Sequence, residues 1–221
     1  MTTLTAAPVA PLIDRLFAAS AAQPSPHSSP AFAALSAEEG DRLLRSKDDY
    51  RAVYAALADF ALPVSPATGR LLYLLARAIG ARSVVEFGTS FGLSTIHLAA
   101  ALRDNGGGRL ITTEFERPKI EQARANLVEA GLADLVEFRD GDALQTLATD
   151  LPETIDLVLL DGAKALYGDV LTLLEPRLRA GALILADNVD YCPDYQARVR
   201  TGGGYLSLAF GEEVELSMRL G

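Results

Sequence analysis

The chain has 221 residues, a length suited to one α/β domain with a short extension. Its 49% apolar and 22% charged residues suit a globular protein with one sizeable core and exclude a wholly disordered chain. A net charge of −9, from 20 Lys and Arg against 29 Asp and Glu, repels phosphate backbones, and no basic cluster overrides it, so nucleic acid is excluded as a partner. The single cysteine, Cys192, can form neither an intrachain disulfide nor a Cys-type zinc site. No apolar run approaches the ~18 residues of a membrane helix. The N-terminus, MTTLTAAPVAPLIDRLF, lacks the preceding Lys/Arg region of a signal peptide. The expectation is a cytoplasmic protein with no membrane partner.

Residues 1–10 read as a frayed tail. Leu12, Leu16 and Phe17 share one face of a helix predicted over 12–22. The Pro/Ser-rich stretch from Gln23 to Pro30, which carries His27, is a loop. Ser36-Ala-Glu-Glu39 is a capping box that should open one helix running to about Asp59. After Pro63 and Pro66 a Leu-rich helix is predicted over 67–79, stopped by Gly80. From residue 83 the pattern changes to short apolar strands at 83–87, 109–113, 135–138, 155–160 and 182–186. Helices at 93–102, 118–130, 143–148 and 166–179 separate them. Such alternation implies a doubly wound, mostly parallel α/β sheet covered on both faces. Residues 205–210 and 213–219 alternate around Gly211-Glu212 and predict an antiparallel C-terminal hairpin. The organisation expected is an N-terminal tail and helical cap over 1–62, joined to a main unit over 63–221.

The first strand runs into Gly88-Thr-Ser-Phe-Gly92-Leu-Ser94, and the second ends at Glu114, 26 residues after Gly88. Glycines there allow a tight turn and a close ligand approach to a helix N-terminus. An acidic side chain at the next strand end grips ribose hydroxyls in such folds. The spacing is G-x-x-x-G, without the middle glycine of the pyrophosphate fingerprint, which argues against a nicotinamide-dependent oxidoreductase. Glu86, just before the loop, disfavours phosphate and suits a cationic cofactor such as S-adenosylmethionine.

The run Glu86-Phe-Gly88-Thr-Ser-Phe-Gly92-Leu-Ser94 with Glu114 resembles the first two motifs of class I S-adenosylmethionine-dependent methyltransferases. Asp161-Gly-Ala-Lys164-Ala-Leu-Tyr167 and Asp187-Asn188 narrow the resemblance, over roughly residues 60–220, to the metal-dependent catechol and caffeoyl-CoA O-methyltransferases. The resemblance implies a Rossmann-like methyltransferase fold. It implies transfer of a methyl group from S-adenosylmethionine to a hydroxyl of a catechol-like vicinal diol. It further implies Mg²⁺ or another divalent cation on Asp161, Asp187 and Asn188. Two carboxylates and an amide are hard oxygen donors that suit such an ion; equally, Asp at a strand end caps the following helix. The family assigns the general base to the lysine at Lys164, whose pKa should fall beside a divalent cation. At Tyr167 packing and chemistry both remain open.

By the same resemblance Val64 and Ser94 meet the methionine part of the cofactor, Gly88 passes close behind it, and Asp161 receives its ammonium. Phe115 packs on adenine or belongs to the core. Gly141, Asp142 and Ala143 line the adenine edge, Asp142 also being suited to cap a helix. Phe60 and Ala163 stand where the mammalian catechol enzyme has tryptophans, and Phe210, with Glu212 nearby, stands for its substrate-binding glutamate. The segment Tyr191-Cys-Pro193-Asp-Tyr195 should form one rim of the acceptor pocket, with Lys164 and Asn188 opposite. His27 and His97 read as structural. The apolar N-terminal helices, together with the habits of bacterial relatives, imply a homodimer. The remaining alternative is a non-catalytic S-adenosylmethionine-binding protein.

Overall fold

The computed structural model describes residues 2–29, 32–211 and 213–221. Helices α1 (Val9–Ala21), α2 (Ala37–Leu44), α3 (Tyr50–Ala55) and α4 (Pro66–Ala78) precede the first strand. Then β1 (Ser83–Phe87), α5 (Leu93–Asp104), β2 (Arg109–Glu114), α6 (Arg117–Glu129), β3 (Val136–Asp140), α7 (Ala143–Thr146) and β4 (Ile155–Leu160) alternate. They are followed by α8 (Tyr167–Leu174), β5 (Leu178–Ala186), α9 (Pro193–Thr201), β6 (Tyr205–Phe210) and β7 (Val214–Arg219). The sheet order is β3-β2-β1-β4-β5-β7-β6. The first five strands are parallel and β7 and β6 antiparallel.

Strand alternation divides the core. Val84, Leu110, Leu157 and Leu185 face α1, α4, α5 and α6 on one side, and Val85, Ile111, Val158 and Ile184 face α8 and α9 on the other. Both faces are buried, which is why the strands read as continuous apolar runs. The doubly wound architecture expected from the sequence is therefore present, hairpin included. Glu212 lies outside the described residues, as does Pro30.

The expected helix over 36–59 is two helices. Its capping box is present: Ser36 Oγ accepts from Glu39 N, and Ser36 N donates to Glu39 Oε2 at 2.8 Å. Between the two helices Ser46 holds a turn: its Oγ accepts from Asp49 N at 3.1 Å and donates to Asp49 Oδ2 at 2.7 Å. Helix α8 ends at Leu174 rather than 179 because Pro176 cannot continue it, and a 3-10 turn over Glu175–Arg177 follows. Helix α9 was not expected. Pro193 opens it, and Tyr195 and Val199, four apart, bury its inner face. Of the apolar face of α1 that suggested a partner, Leu12 is buried in this chain's own core and Leu16 and Phe17 pack against it, partly buried. Among the described residues no helix is long and apolar enough to cross a membrane.

Candidate active site

Parallel pairing sets the strand ends in a row. Gly141 N donates to Glu114 O at 2.9 Å, Asp161 N to Phe87 O at 2.8 Å, and Asp187 N to Leu160 O at 2.9 Å. Glu114, Asp161 and Asp187 thus stand along one carboxyl edge, the end of β1 lying between Glu114 and Asp161, where open α/β sheets bind ligands. The glycine loop closes onto this edge. Gly88 has φ +102, and a Cβ there would lie 2.6 Å from Asp161 O, so any side chain would push β1 off β4. Gly88 and Thr89 N–H groups both donate to Thr113 O.

Two cavities open above the row. A slot of about 70 Å³ is lined by Gly88, Ser90, Glu114, Phe115, Lys119, Gly141, Asp142, Ala143 and Ala163, and roofed by Tyr50, Arg51 and Tyr54 of α3. A larger cavity of about 930 Å³ is lined by Lys164, Asp187, Asn188, Tyr191, Phe210 and Glu213, and by 23–26 and 61–63 of the N-terminal segments. Asp161, Tyr54 and Leu62 belong to both walls.

In the slot, Glu114 Oε2 accepts from Ser90 N at 2.8 Å, and Oε1 accepts from Phe115 N and Glu116 N. Asp142 takes both roles considered for it. It caps α7 through Leu144 N at 3.0 Å and holds the roof through Tyr50 OH at 2.9 Å and Arg51 Nη2 at 2.5 Å. Phe115 is half exposed and lines the slot, with the Arg51 guanidinium 5.9 Å from its ring centre.

At the junction of the cavities Lys164 Nζ donates to Asp161 Oδ1 at 2.9 Å and to Tyr167 Oη at 2.9 Å. The Tyr167 hydroxyl donates to Asp187 O at 2.8 Å. Tyr167 is fully buried, edge-on to Phe87 and Tyr195, so the lysine is fixed by packed aromatics. Burial works to lower the pKa of Lys164, but the Asp161 charge outweighs it and holds the ammonium well above the ordinary lysine range. The depressed Lys164 expected from the sequence is thus not what the protein alone produces, because that expectation placed a divalent cation, not Asp161, beside it. Burial and the neighbouring Asp161 charge push the Asp187 carboxyl up to about 7. Asn188 adopts a left-handed backbone, φ 50, and its Nδ2 donates to Glu213 Oε2 at 3.1 Å.

Several expected site residues lie off the two cavity walls. Glu86 is fully buried and turned into α5, where its carboxylate accepts from Ser94, Thr95 and Thr112 hydroxyls, each at 2.6 Å. Burial pushes its pKa up to about 7 despite those bonds. Glu86, Ser94 and Val64 are buried and line neither cavity; side-chain alternation sends position 86 to the helix face of β1. Phe60 packs in a small cluster with Phe32, Val53 and Leu57, leaving Leu57 and Ala61 on the cavity wall. Pro193 is exposed on α9, and Tyr191 supplies the rim instead. Cys192 is buried, and His97 is buried with Nδ1 donating to Leu93 O at 2.8 Å; both are structural. Tyr50, Arg51, Tyr54 and Lys119 were missed: they sit on helices whose charges read as solvated surface.

Two adjoining cavities at the carboxyl edge of such a sheet, sharing one acidic wall residue, suit an enzyme that brings two small molecules together. Residues 85–189 match the methyltransferase domain family. Over 153 residues the chain is 40% identical to a catechol O-methyltransferase of Mycobacterium tuberculosis, covering 67% of this chain and 69% of that one. Its fold is similar to an O-methyltransferase from Bacillus cereus in complex with SAH (TM-score 0.68, 26% identity, 83% and 96% of the two chains). It is also similar to the O-methyltransferase TomG from Streptomyces achromogenes in complex with SAM (TM-score 0.63, 30% identity, 83% and 95%). The chain belongs to the catechol O-methyltransferase-like family of S-adenosylmethionine-dependent O-methyltransferases.

Proposed function

We propose that the methyl acceptor is a catechol-like vicinal diol and that a divalent cation, Mg²⁺ by donor chemistry, assists the transfer. The observation that carries this reading is Asp161 on the shared wall of both cavities, with Lys164, Asp187 and Asn188 beside it. No cluster of three or more His, Cys, Asp or Glu groups set for a metal ion occurs among the described residues. The candidate set has only two carboxylates, completed by an amide. It fits a hard cation nonetheless. Asp187 is buried beside a like charge that raises its pKa, the condition a bound cation relieves. Asp161, Asp187 and Asn188 would hold the ion, which would supply a positive charge that gathers both diol oxygens and lowers the pKa of one.

S-adenosylmethionine supplies an electrophilic methyl group, and the slot and larger cavity hold the two reactants on either side of Asp161. The chain's part is alignment of oxygen, carbon and sulfur, with water excluded. Lys164 is the group placed to take the hydroxyl proton, and Tyr167 fixes its position. Its own proton must leave first, which the Asp161 charge opposes. The cavity exceeds a single catechol ring, and its rim of Tyr191 and Phe210 suits aromatic acceptors. Homodimerisation is part of the same reading; a single monomer mass by light scattering across micromolar concentrations would remove it.

The deciding experiment is a methyl-transfer screen over vicinal diols and matched monophenols, with and without EDTA. Turnover of diols only, lost in EDTA and restored by Mg²⁺, is expected. Full activity in EDTA would overturn the metal, and equal turnover of monophenols would overturn the diol.

A further inference from the structure

Lys119 occupies the first turn of α6 and is 2% exposed, among the most buried charged residues of the chain. It lines the nucleoside slot together with Glu114. Its ammonium makes no hydrogen bond or ion pair with the described residues. The carboxylates around it, Glu114 and Glu116 at the end of β2 and Asp59 before α4, act on it through space without closing to ion-pair distance. Burial pushes its pKa below the ordinary lysine range against the pull of those carboxylates.

The side chain is buried and the ammonium's opening is the slot, so with little water to solvate it an unpartnered charge there is costly to keep. A partner that arrives with the ligand resolves the cost. The chemistry of the slot says which atoms that partner presents. Glu114, already accepting three backbone N–H groups, can only accept further bonds, whereas Lys119 can only donate. A ribose diol offers both complements, O–H donors for the carboxylate and oxygen acceptors for the ammonium.

We propose that Lys119 is a cofactor-binding residue that donates to a ribose hydroxyl oxygen of the bound nucleoside, so that Glu114 and Lys119 together select an intact 2′,3′-diol. This rests on the slot being the nucleoside site of the S-adenosylmethionine-dependent reaction. Phosphate on the ribose is not the complement: Glu114 and Glu116 stand on the same wall.

The test is calorimetric titration of wild type, Lys119→Met and Lys119→Arg with S-adenosylhomocysteine and with its 2′-deoxy and 3′-deoxy analogues. Thermal unfolding of the ligand-free proteins serves as the folding control. Met fills the same space without charge, so the control should show an unfolding midpoint at or above wild type. For S-adenosylhomocysteine, Lys119→Met should weaken binding roughly 10- to 100-fold, the scale of one charged hydrogen bond, with partial recovery in Lys119→Arg. One of the two deoxy analogues should bind wild type and Lys119→Met alike, because the bond is already absent. Unchanged affinity in Lys119→Met, or the same loss for all three ligands, would overturn the proposal while leaving the cofactor site intact. Failure of wild type to bind S-adenosylhomocysteine at all would overturn the site and the proposal together.

Discussion

The two cavities are built differently. The slot is floored by the ends of β1, β2 and β4, and its two best-held carboxylates are bound in place, Glu114 to three backbone amides and Asp142 to α7 and α3, with Lys119 left without a partner among the described residues. The larger cavity borrows its walls from the end of α1, from 57–68, from the turn after β5 and from the β6–β7 hairpin. Its polar end holds Asp187, buried against a like charge. The slot is thus fixed by the sheet, while the acceptor side is a rim of connecting segments around reactive groups. Loops set on a rigid scaffold are where substrate choice varies within a fold.

The sharpest way to break this division is to substitute the two aspartates. Asp187 lines the acceptor cavity alone and Asp161 lines both. Asp187→Ala should abolish turnover and leave S-adenosylhomocysteine affinity within about threefold of wild type. Asp161→Ala should lose turnover and also weaken the nucleoside roughly tenfold or more, a charged bond being worth ~1.5–3 kcal/mol. Turnover and calorimetry on the two variants give the comparison. Equal losses of nucleoside affinity would mean that the cavities do not divide the reactants in this way.

Lys164→Ala comes next, with kcat lowered by ~10²–10⁴, the usual share of a general base. Nucleoside affinity should hold, since Lys164 lines only the acceptor cavity. The defect should shrink as pH rises and the acceptor hydroxyl ionises unaided. A kcat–pH profile parallel to wild type would remove the base from Lys164 and leave it as a counter-charge for Asp161.

Glu86 sharpens the comparison from below the slot. Its folded pKa, about 7, lies above the unfolded value of 4.5. The protonated form is therefore favoured by folding. The stability this contributes is full below pH 4.5 and is lost as pH rises to about 7, amounting to roughly 3 kcal/mol. Glu86→Gln keeps the shape and removes the titration, so melts between pH 5 and 8 should show a flatter decline than wild type. The slope left combines Asp187, pushed up to the same range, and Asp161, raised by burial, with the opposing slope of His97, whose pKa burial lowers. An unchanged slope would mean that the three hydroxyls hold Glu86 ionised throughout.

The same division decides what could be read from the sequence. The slot follows from strand ends in chain order: motif spacing points to Gly88 and Glu114, and the family resemblance adds Phe115 and Gly141-Asp142-Ala143, all of which line it. Asp161 and Asp187, on adjacent strands, are likewise legible only through that resemblance, since position alone suits helix caps equally. Glu86 and Ser94 sit inside that motif, yet period-two alternation turns Glu86 away from the ligand edge, and the Ser94 hydroxyl follows it. The acceptor rim depends on contacts far apart in sequence. Phe60 and Tyr191 differ in role only because the chain folds Phe60 into the Phe32 cluster. Tyr50, Arg51 and Lys119 carried no motif. The signal available was Ser46-x-x-Asp49, a turn pattern between α2 and α3 whose hydroxyl and carboxylate bond each other.

That roof gives the smallest expected effect. At about 70 Å³ the slot is below the ~300 Å³ of pockets that hold drug-sized ligands. A nucleoside can enter only if α3 moves outward. What resists is Arg51 and Tyr50 on Asp142, with Tyr54 OH donating to Gly162 O at 3.3 Å. Arg51 is more than half exposed, so its pair with Asp142 is screened and weak. Arg51→Ala removes that contact from the closed state while leaving the cap of α7, which uses the other Asp142 oxygen. The open fraction, and with it the association rate of S-adenosylhomocysteine in stopped flow, should rise about 1.5- to 5-fold at low salt. The gain should fade as salt is added to wild type, since screening weakens the same contact. An association rate unmoved by either change would mean that α3 is not the barrier to entry.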